Sequence, residues 1–387
     1  MVDQSDISTQ FKLTIPQEDE EERFEKHGNT YYWQRSPQQF LVTVKPNDEP
    51  SAKIYLEIIQ ELKRCKLQVL TDPVNAEKFG CTAFTKQKVD LAIVIGGDGS
   101  VLYAAALFPN KSPPIAVFNS GSMGFLAPFS PHLLHKEIKH LINGPLVITK
   151  RARLQAFVLK NKPKLCQTPF VENQAQTHSR QQSTMKQYVN QQQLPGNQPA
   201  VYQPPIGTKM YTCLNEVYIS RGYSNFLTNL QCYMNKLYFG TIQADGLLIS
   251  TPTGSTAYSL SAGGVPVQPN VEAILFTPIC PHVMTSKQLI LSDKVQLKVK
   301  VAKAARGTAV ATFDGRGSLE LFQGDSLVIQ RCQYDLPTIC LENEQMDFIT
   351  ALKRCLNWNV RVEQKQFGQK TVQKSKEIGD PDSDDVC

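Results

Sequence analysis

No run of eighteen apolar residues occurs in this 387-residue chain, which excludes a membrane-spanning helix. The start, Met1-Val2-Asp3-Gln4-Ser5-Asp6, lacks the basic and apolar stretches of a secretory signal, so a cytoplasmic protein is expected, with no membrane partner. Cys-x-x-Cys pairs are missing as well. The ten cysteines are scattered from Cys65 to Cys387, which argues against a disulfide framework and a zinc site, and no metal ligands are assigned. Nor is there a basic stripe interleaved with aromatic residues, so nucleic acid is set aside as a partner. The formal charge is +6, yet acidic runs at Glu18–Glu22 and Asp380–Asp385 leave the body between them more basic than the total. Such a body suits small anionic ligands.

With 41% apolar residues, the chain is long enough for two domains with a core each. Residues 1–37 are polar and read as a disordered acidic tail. Phe40–Val44, Leu67–Leu70, Leu91–Ile95 and Ile115–Phe118 then predict buried strands. The spacing of Ile54, Leu56, Ile58, Ile59 and Leu62, and of Leu134, Ile138, Leu141 and Ile142, predicts helices between and after them. That alternation predicts an α/β domain over 38–150 with a mostly parallel sheet. Residues 151–345 predict a mostly β domain, with strand-like runs such as Cys213–Ile219, Leu247–Ser250 and Thr308–Phe313. A Gln- and Asn-rich insertion at 161–208 reads as disordered. Residues 346–362 predict a helix packing back on the first domain, and 363–387 a second disordered acidic tail.

The strand ending at Ile95 runs into Gly96-Gly97-Asp98-Gly99-Ser100 and then a helical stretch. Ligands gather at the carboxyl ends of parallel strands. Glycines there bring bare backbone N–H groups close to an anion, and a helix N-terminus favours phosphate. The plainer alternative is that Asp98 caps the helix. A Gly-Gly-Asp-Gly loop recurs in 6-phosphofructokinases, diacylglycerol-type lipid kinases and NAD kinases, so the resemblance implies phosphoryl transfer before it implies a substrate.

Three further segments narrow the choice. Asn119-Ser120-Gly121-Ser122-Met123-Gly124-Phe125-Leu126, Leu214-Asn215-Glu216-Val217 and the twenty residues from Asp245 to Gly264 resemble motifs of the NAD kinase family, eukaryotic type. The likeness continues through Phe313-Asp314-Gly315 and Cys355–Val360. It implies a Rossmann-like or phosphofructokinase-like α/β domain beside a β-rich domain that binds NAD. It also implies Mg²⁺ with ATP as donor, NAD as acceptor, and a homodimer or homotetramer.

By the same resemblance Asp98 is the catalytic residue. Gly96, Gly97, Gly99, Asn215, Glu216, Asp245, Thr256, Ala257, Tyr258, Ser261 and Asp314 are the binding residues. The hydroxyl-rich run Ser250–Ser261 offers short donors and acceptors, although alone it is an ordinary Ser/Thr-rich turn. Asn215 and Glu216, taken alone, fit solvent-facing strand positions. Arg151 and Arg153 are basic candidates for phosphate contact. Ser100, Gln268 and Lys287-Gln288 depart from the family's usual Thr, His and Arg-Pro. Two alternatives stand beside this reading: a lipid or other small-alcohol kinase sharing the Gly-Gly-Asp-Gly loop, and an inactive dinucleotide-binding regulator.

Overall fold

The computed structural model describes residues 23–161 and 202–359, apart from 46–47, 86, 122–123 and 206. Most of the expected insertion, and the tails 1–22 and 360–387, lie outside the described residues. The chain opens with β1 (Phe24–His27), β2 (Thr30–Trp33) and β3 (Gln39–Val44), followed by α1 (Glu49–Arg64), β4 (Gln68–Thr71), α2 (Pro73–Phe79) and β5 (Thr82–Ala83). It continues through β6 (Leu91–Ile95), α3 (Asp98–Leu107), β7 (Ile115–Phe118), α4 (Leu134–Asn143) and β8 (Leu146–Arg151). Local chemistry sets the helix bounds: Asp48 accepts from Ser51 N at 3.0 Å to cap α1, and α2 ends at Gly80 with φ +61°.

The central strands are apolar throughout because both their faces are covered. Phe40, Val42 and Val44 enter one core with Leu91, Ile93 and Ile95. Leu41, Ala92 and Val94 enter another on the opposite face. Strands β5-β4-β3-β6-β7 are parallel neighbours in that order. Chain order reverses across β3 and β6, so the loops after these two strands flank a topological switch point. Gly96-Gly97-Asp98 is one of them.

The next twelve strands form two six-stranded antiparallel sheets. One contains β9 (Leu154–Leu159), β10 (Tyr211–Cys213), β12 (Thr228–Met234), β13 (Leu237–Ala244), β17 (Leu297–Val301) and β20 (Ser326–Arg331). The other contains β11 (Glu216–Ser220), β14 (Gly246–Ser250), β15 (Ala273–Ile279), β16 (Leu289–Ser292), β18 (Ala309–Phe313) and β19 (Arg316–Leu321). Their inward residues, among them Leu230 and Val299 from the first sheet and Val217 and Ile249 from the second, share one core. Helix α5 (Tyr258–Ser261) follows β14. The chain then returns: β21 (Leu336–Ile339) inserts between β7 and β8, and α6 (Glu344–Leu356) follows it. With β21 parallel to β7, the parallel part of the nine-stranded sheet has the doubly wound order of a dinucleotide fold.

Two boundaries differ from the sequence expectation. Residues 24–33, assigned to the tail, form a hairpin that pairs with β8 and buries Phe24 and Tyr31. Trp33 stacks on Phe24 at 4.4 Å and donates to Leu141 O at 3.0 Å. Three aromatic anchors in a polar stretch are enough to add a sheet edge. The β domain also ends earlier than residue 345, because β21 belongs to the α/β sheet.

Arg153 is not a phosphate ligand. It is 1% exposed and donates to the carbonyls of Tyr334 (2.7 Å), Phe108 (2.6 Å) and Asn110 at the junction of the two domains. Replacing it with Met leaves three carbonyls short of a donor, at about 1–3 kcal/mol for a buried group. Arg153→Met is expected to lower the urea midpoint by an amount worth at least about 3 kcal/mol, which equilibrium unfolding measures.

Candidate functional site

Asp98 opens α3 yet makes no side-chain cap bond to it. Its carboxylate crosses to the loop after β7 instead, where Oδ2 accepts from Phe125 N at 3.1 Å and Oδ1 from Leu126 N at 2.9 Å. Gly124 permits this approach, since a Cβ there would run into the Asp98 carboxyl group. Gly96 has φ +148°, and a Cβ on it would meet the Ser100 side chain. Gly97 is the helix N-cap, and the carbonyl of exposed Gly99 accepts from Arg316 Nη2 at 3.3 Å.

Arg316 brings in the second domain. It follows the two-residue turn Asp314-Gly315, whose φ values of +50° and +67° suit an Asp-Gly hairpin. Asp314 accepts from three successive amides: Leu214 N (2.6 Å), Asn215 N (2.8 Å) and Glu216 N (3.0 Å). Burial raises the Asp314 carboxyl above its ordinary range, with these bonds opposing the shift. The expected strand Cys213–Ile219 is therefore broken. Leu214 and Asn215 leave the ladder between β10 and β11, and Asp314 supplies the bonds they forgo. This carboxylate holds the backbone of the Asn-Glu pair.

Asn215 and Glu216 are buried, not solvent-facing. Asn215 Oδ1 and Glu216 Oε2 have no hydrogen-bond partner among the described residues. Such buried polar atoms ask for an explanation, and a bound ligand is one. Burial, and secondarily the Asp314 charge, push the Glu216 carboxyl up to about 7.

Behind them runs the segment from Asp245. Thr251 N donates to Asn215 O at 2.8 Å, and Gly254 lies so close to the Asn215 backbone that a Cβ would collide with it. The hydroxyls divide into two sets. Thr251 and Ser255 are spent internally, on Leu214 O (2.6 Å) and Pro252 O (2.6 Å), and cannot serve a ligand. Thr256 and Ala257 are half-buried, and Tyr258 and Ser261 are exposed. Thr253 and Thr256 line a cleft together with Phe125, Leu126 and Arg151, roofed by α6. Arg151 donates to Thr338 Oγ1 at 3.0 Å and Thr253 Oγ1 at 3.4 Å. Burial lowers its guanidinium, with Asp98, Glu344 and Asp347 among the anions opposing this.

These contacts link the two domains. Asp98 leads to Phe125 and Leu126, which share the cleft lining with Thr253 and Thr256; Thr251 and Gly254 meet Asn215, and Asp314 with Arg316 leads back to Gly99. Asp245 lies on a neighbouring patch: it pairs with Arg221 at 2.9 Å, beside Tyr218, whose ring meets Tyr258 edge-on at 5.3 Å. The divergent Gln288 is structural, bridging Ser259 Oγ (3.0 Å), Thr277 Oγ1 (2.8 Å) and Val265 N (3.0 Å). Sequence reasoning missed Arg316. It follows the Phe-Asp-Gly motif directly, and that adjacency was the available signal.

Known proteins resemble this arrangement. A family profile described as the ATP-NAD kinase N-terminal domain matches residues 40–146, and one described as the C-terminal domain matches 214–341, together more than half of the chain. A putative NAD kinase from Oryza sativa is 36% identical over 349 residues, covering 86% of this chain and 63% of its own length. An NAD(+) kinase from Saccharomyces cerevisiae is 37% identical over 288 residues, covering 74% and 49%. The chain thus spans about half to two-thirds of the length of these curated relatives. A crystal structure of yeast NADH kinase complexed with NADH shares the fold at TM-score 0.71, with 23% identity and coverage of 93% of this chain and 98% of that one. An NAD kinase from Archaeoglobus fulgidus in complex with ATP shares it at 0.57, with 19% identity and coverage of 82% and 99%.

The Glu216 environment has a measurable consequence. Its carboxyl is raised in the folded state from an ordinary 4.5 to about 7, so the fold holds this proton more tightly than the unfolded chain does. The associated stability is full below about 4.5 and is lost as pH rises through about 7. At 1.36 kcal/mol per pH unit, the loss is about 3 kcal/mol at most. Glu216→Gln is expected to flatten this part of the stability profile, measured as denaturation midpoints from pH 5 to 8.

Proposed function

The chain belongs to the NAD kinase family, and we propose that it transfers the γ-phosphoryl group of Mg-ATP to the adenosine ribose 2′-hydroxyl of NAD, giving NADP. The observation that carries this reading is the pair of buried oxygens, Asn215 Oδ1 and Glu216 Oε2, left without a partner among the described residues. The Asp98 carboxylate, anchored by two amides at the switch point of the parallel sheet, supports it. A ribose presents hydroxyl donors of the kind these oxygens accept. The dinucleotide lies against Thr256, Ala257, Tyr258 and Ser261, with Asp245 and Tyr218 at the edge of the same surface. The donor phosphates approach along Gly96-Gly97, where the backbone turn and the start of α3 favour negative charge. Mg²⁺ arrives with the triphosphate, held mainly by its oxygens and water.

Asp98 does not strip the hydroxyl beforehand. A carboxylate near pKa ~4 and an alcohol many units higher make full prior transfer cost on the order of 10 kcal/mol. In a loose transition state the hydroxyl becomes acidic only as the bond to phosphorus forms. The O2′–Pγ bond forms, the bond from Pγ to the bridging oxygen breaks, ADP leaves, and the proton passes to Asp98. Mg-ATP would be used in the cytoplasm by a homo-oligomer. Exposed Leu237, Tyr238 and Met284 on the β domain support self-association.

Purified protein incubated with Mg-ATP and NAD is expected to form NADP, detected by an NADP-specific dehydrogenase. Absence of NADP would overturn the reading. Asp98→Asn is expected to reduce turnover by about 10²–10⁴-fold, the usual worth of a positioned base. Wild-type turnover in that variant would remove Asp98 from the chemistry. Tyr258→Ala, which deletes a ring face, is expected to raise KM for NAD by up to about tenfold with kcat little changed.

A further inference from the structure

The helix α6 poses a problem of attachment. Of its 13 residues Ala351 alone is buried, with Phe348, Leu352 and Cys355 half-buried at helical spacing beside it, so its apolar hold is narrow. Its start is fixed by polar contacts: Asn343 caps it through Met346 N at 2.9 Å, and Asp347 accepts from Leu341 N at 2.9 Å. At its other end Arg354 reaches across the seam. Nη2 donates to Gly124 O at 2.9 Å and to Ala127 O at 3.4 Å. Arg354 is half-buried, its Nε is buried without a partner among the described residues, and both of its bonds go to a single loop.

That loop is the one that holds Asp98. The peptide unit joining Gly124 to Phe125 carries both contacts: its carbonyl accepts from Arg354, and its N–H donates to Asp98 Oδ2. The next amide, Leu126 N, donates to Asp98 Oδ1, and Ala127 O, one residue on, is the second acceptor of Arg354. The cation and the carboxylate therefore grip opposite edges of the same short backbone segment. A guanidinium on the carbonyl side polarises the peptide and strengthens the N–H as a donor. It also fixes the plane of that peptide, and with it the direction in which Asp98 is held.

We infer that Arg354 is a positioning residue for the phosphoryl transfer, acting on Asp98 through the Gly124–Phe125 peptide, so that the carboxy-terminal helix is part of the catalytic apparatus. The inference rests on the function proposed above and deepens it. In this role Arg354, which lines the same cleft, acts through the peptide and not on the reacting atoms. The competing account is that Arg354 only fastens α6, in which case its loss costs stability and leaves the turnover of folded protein unchanged.

The test separates the two. Wild-type NADP formation is measured first; its absence removes the proposed function, whereas an active wild type with insensitive variants removes only this inference. Arg354→Ala is expected to lower kcat by about 10–100-fold, the scale for misplacing a reacting group by about an ångström. KM for NAD and the melting temperature should change little. Arg354→Lys, which keeps the charge and a donor, is expected to recover most of the loss. Millimolar guanidinium added to Arg354→Ala should restore part of kcat, and should restore none to Asp98→Asn. Should Arg354→Ala fail to fold, Arg354→Gln, which removes the charge at similar length, carries the test, with a lower kcat at unchanged KM as the supporting result. The inference is overturned if kcat stays within twofold of wild type in the variants that fold. It is overturned equally if the loss follows KM or the melting temperature, or if guanidinium restores nothing.

Discussion

Three backbone amides at the domain seam have one acceptor among them, the carboxylate of Asp314. Leu214, Asn215 and Glu216 mark the point where the chain leaves β10 in one sheet and enters β11 in the other. Leu214 is packed in the α/β core while Val217 is packed in the β sandwich, so the backbone between them has to cross the seam. A crossing backbone cannot stay in a ladder, and its buried N–H groups need partners. Asp314 supplies them from a hairpin turn that also sends Arg316 to the carbonyl of Gly99. One turn therefore fixes the Asn-Glu pair and the Gly-Gly-Asp-Gly loop relative to each other.

The carboxyl groups at this seam have different environments and for that reason different roles. Asp98 receives two amide donors and sits half-buried at the end of a parallel sheet. Glu216 is buried, faces the Asp314 charge, and keeps an oxygen unpartnered, so it is raised to about 7. Asp314 is raised by burial as well, but its three amide bonds oppose that shift. A group satisfied by backbone is held in place, and one left unsatisfied is available to a ligand. In the function proposed above, this distinction suits Asp98 to orienting the hydroxyl and taking its proton, Asp314 to building the site and Glu216 to binding, using residue types that a motif alone treats alike.

Much of this was legible in the sequence, for identifiable physical reasons. Strands β3 and β6 are apolar at every position because both faces are buried, and a continuous apolar run is easily seen. The Gly-Gly-Asp-Gly loop and the glycine-rich turn after β7 are legible because the positive φ at Gly96, and the close approach of Asp98 to Gly124, favour glycine at those two positions. The hairpin at 24–33 was hidden because its anchors are diluted by polar neighbours. Cys213–Ile219 was taken as one strand because periodicity reports side-chain facing, and the break at Leu214–Asn215 is made by a carboxylate a hundred positions later. The same limit applies to Thr251 and Ser255: composition shows that hydroxyls are present, and only packing shows that they are already used. Arg153 and Arg354 look like surface arginines in the sequence because their acceptors are backbone carbonyls, which every residue carries.

The order in which the chain visits the seam has a further consequence. Strand β21 and helix α6 come after the whole sandwich, yet β21 completes the parallel sheet beside β7 and α6 roofs the cleft. The α/β domain is therefore discontinuous in sequence, and the site is complete only when its last segment has docked. An interruption placed within the sandwich has a different effect. Strands β9 and β10 are antiparallel neighbours with Tyr211 opposite Ala156, so the Gln-rich stretch between them closes at a pair that the sheet already holds together. The cost of closing a longer loop grows only with the logarithm of its length. The same number of residues inserted between β21 and α6 would instead separate Arg354 from the peptide that holds Asp98. Tolerance to insertion in this fold thus depends on whether the interrupted connection lies within one sheet or spans the seam.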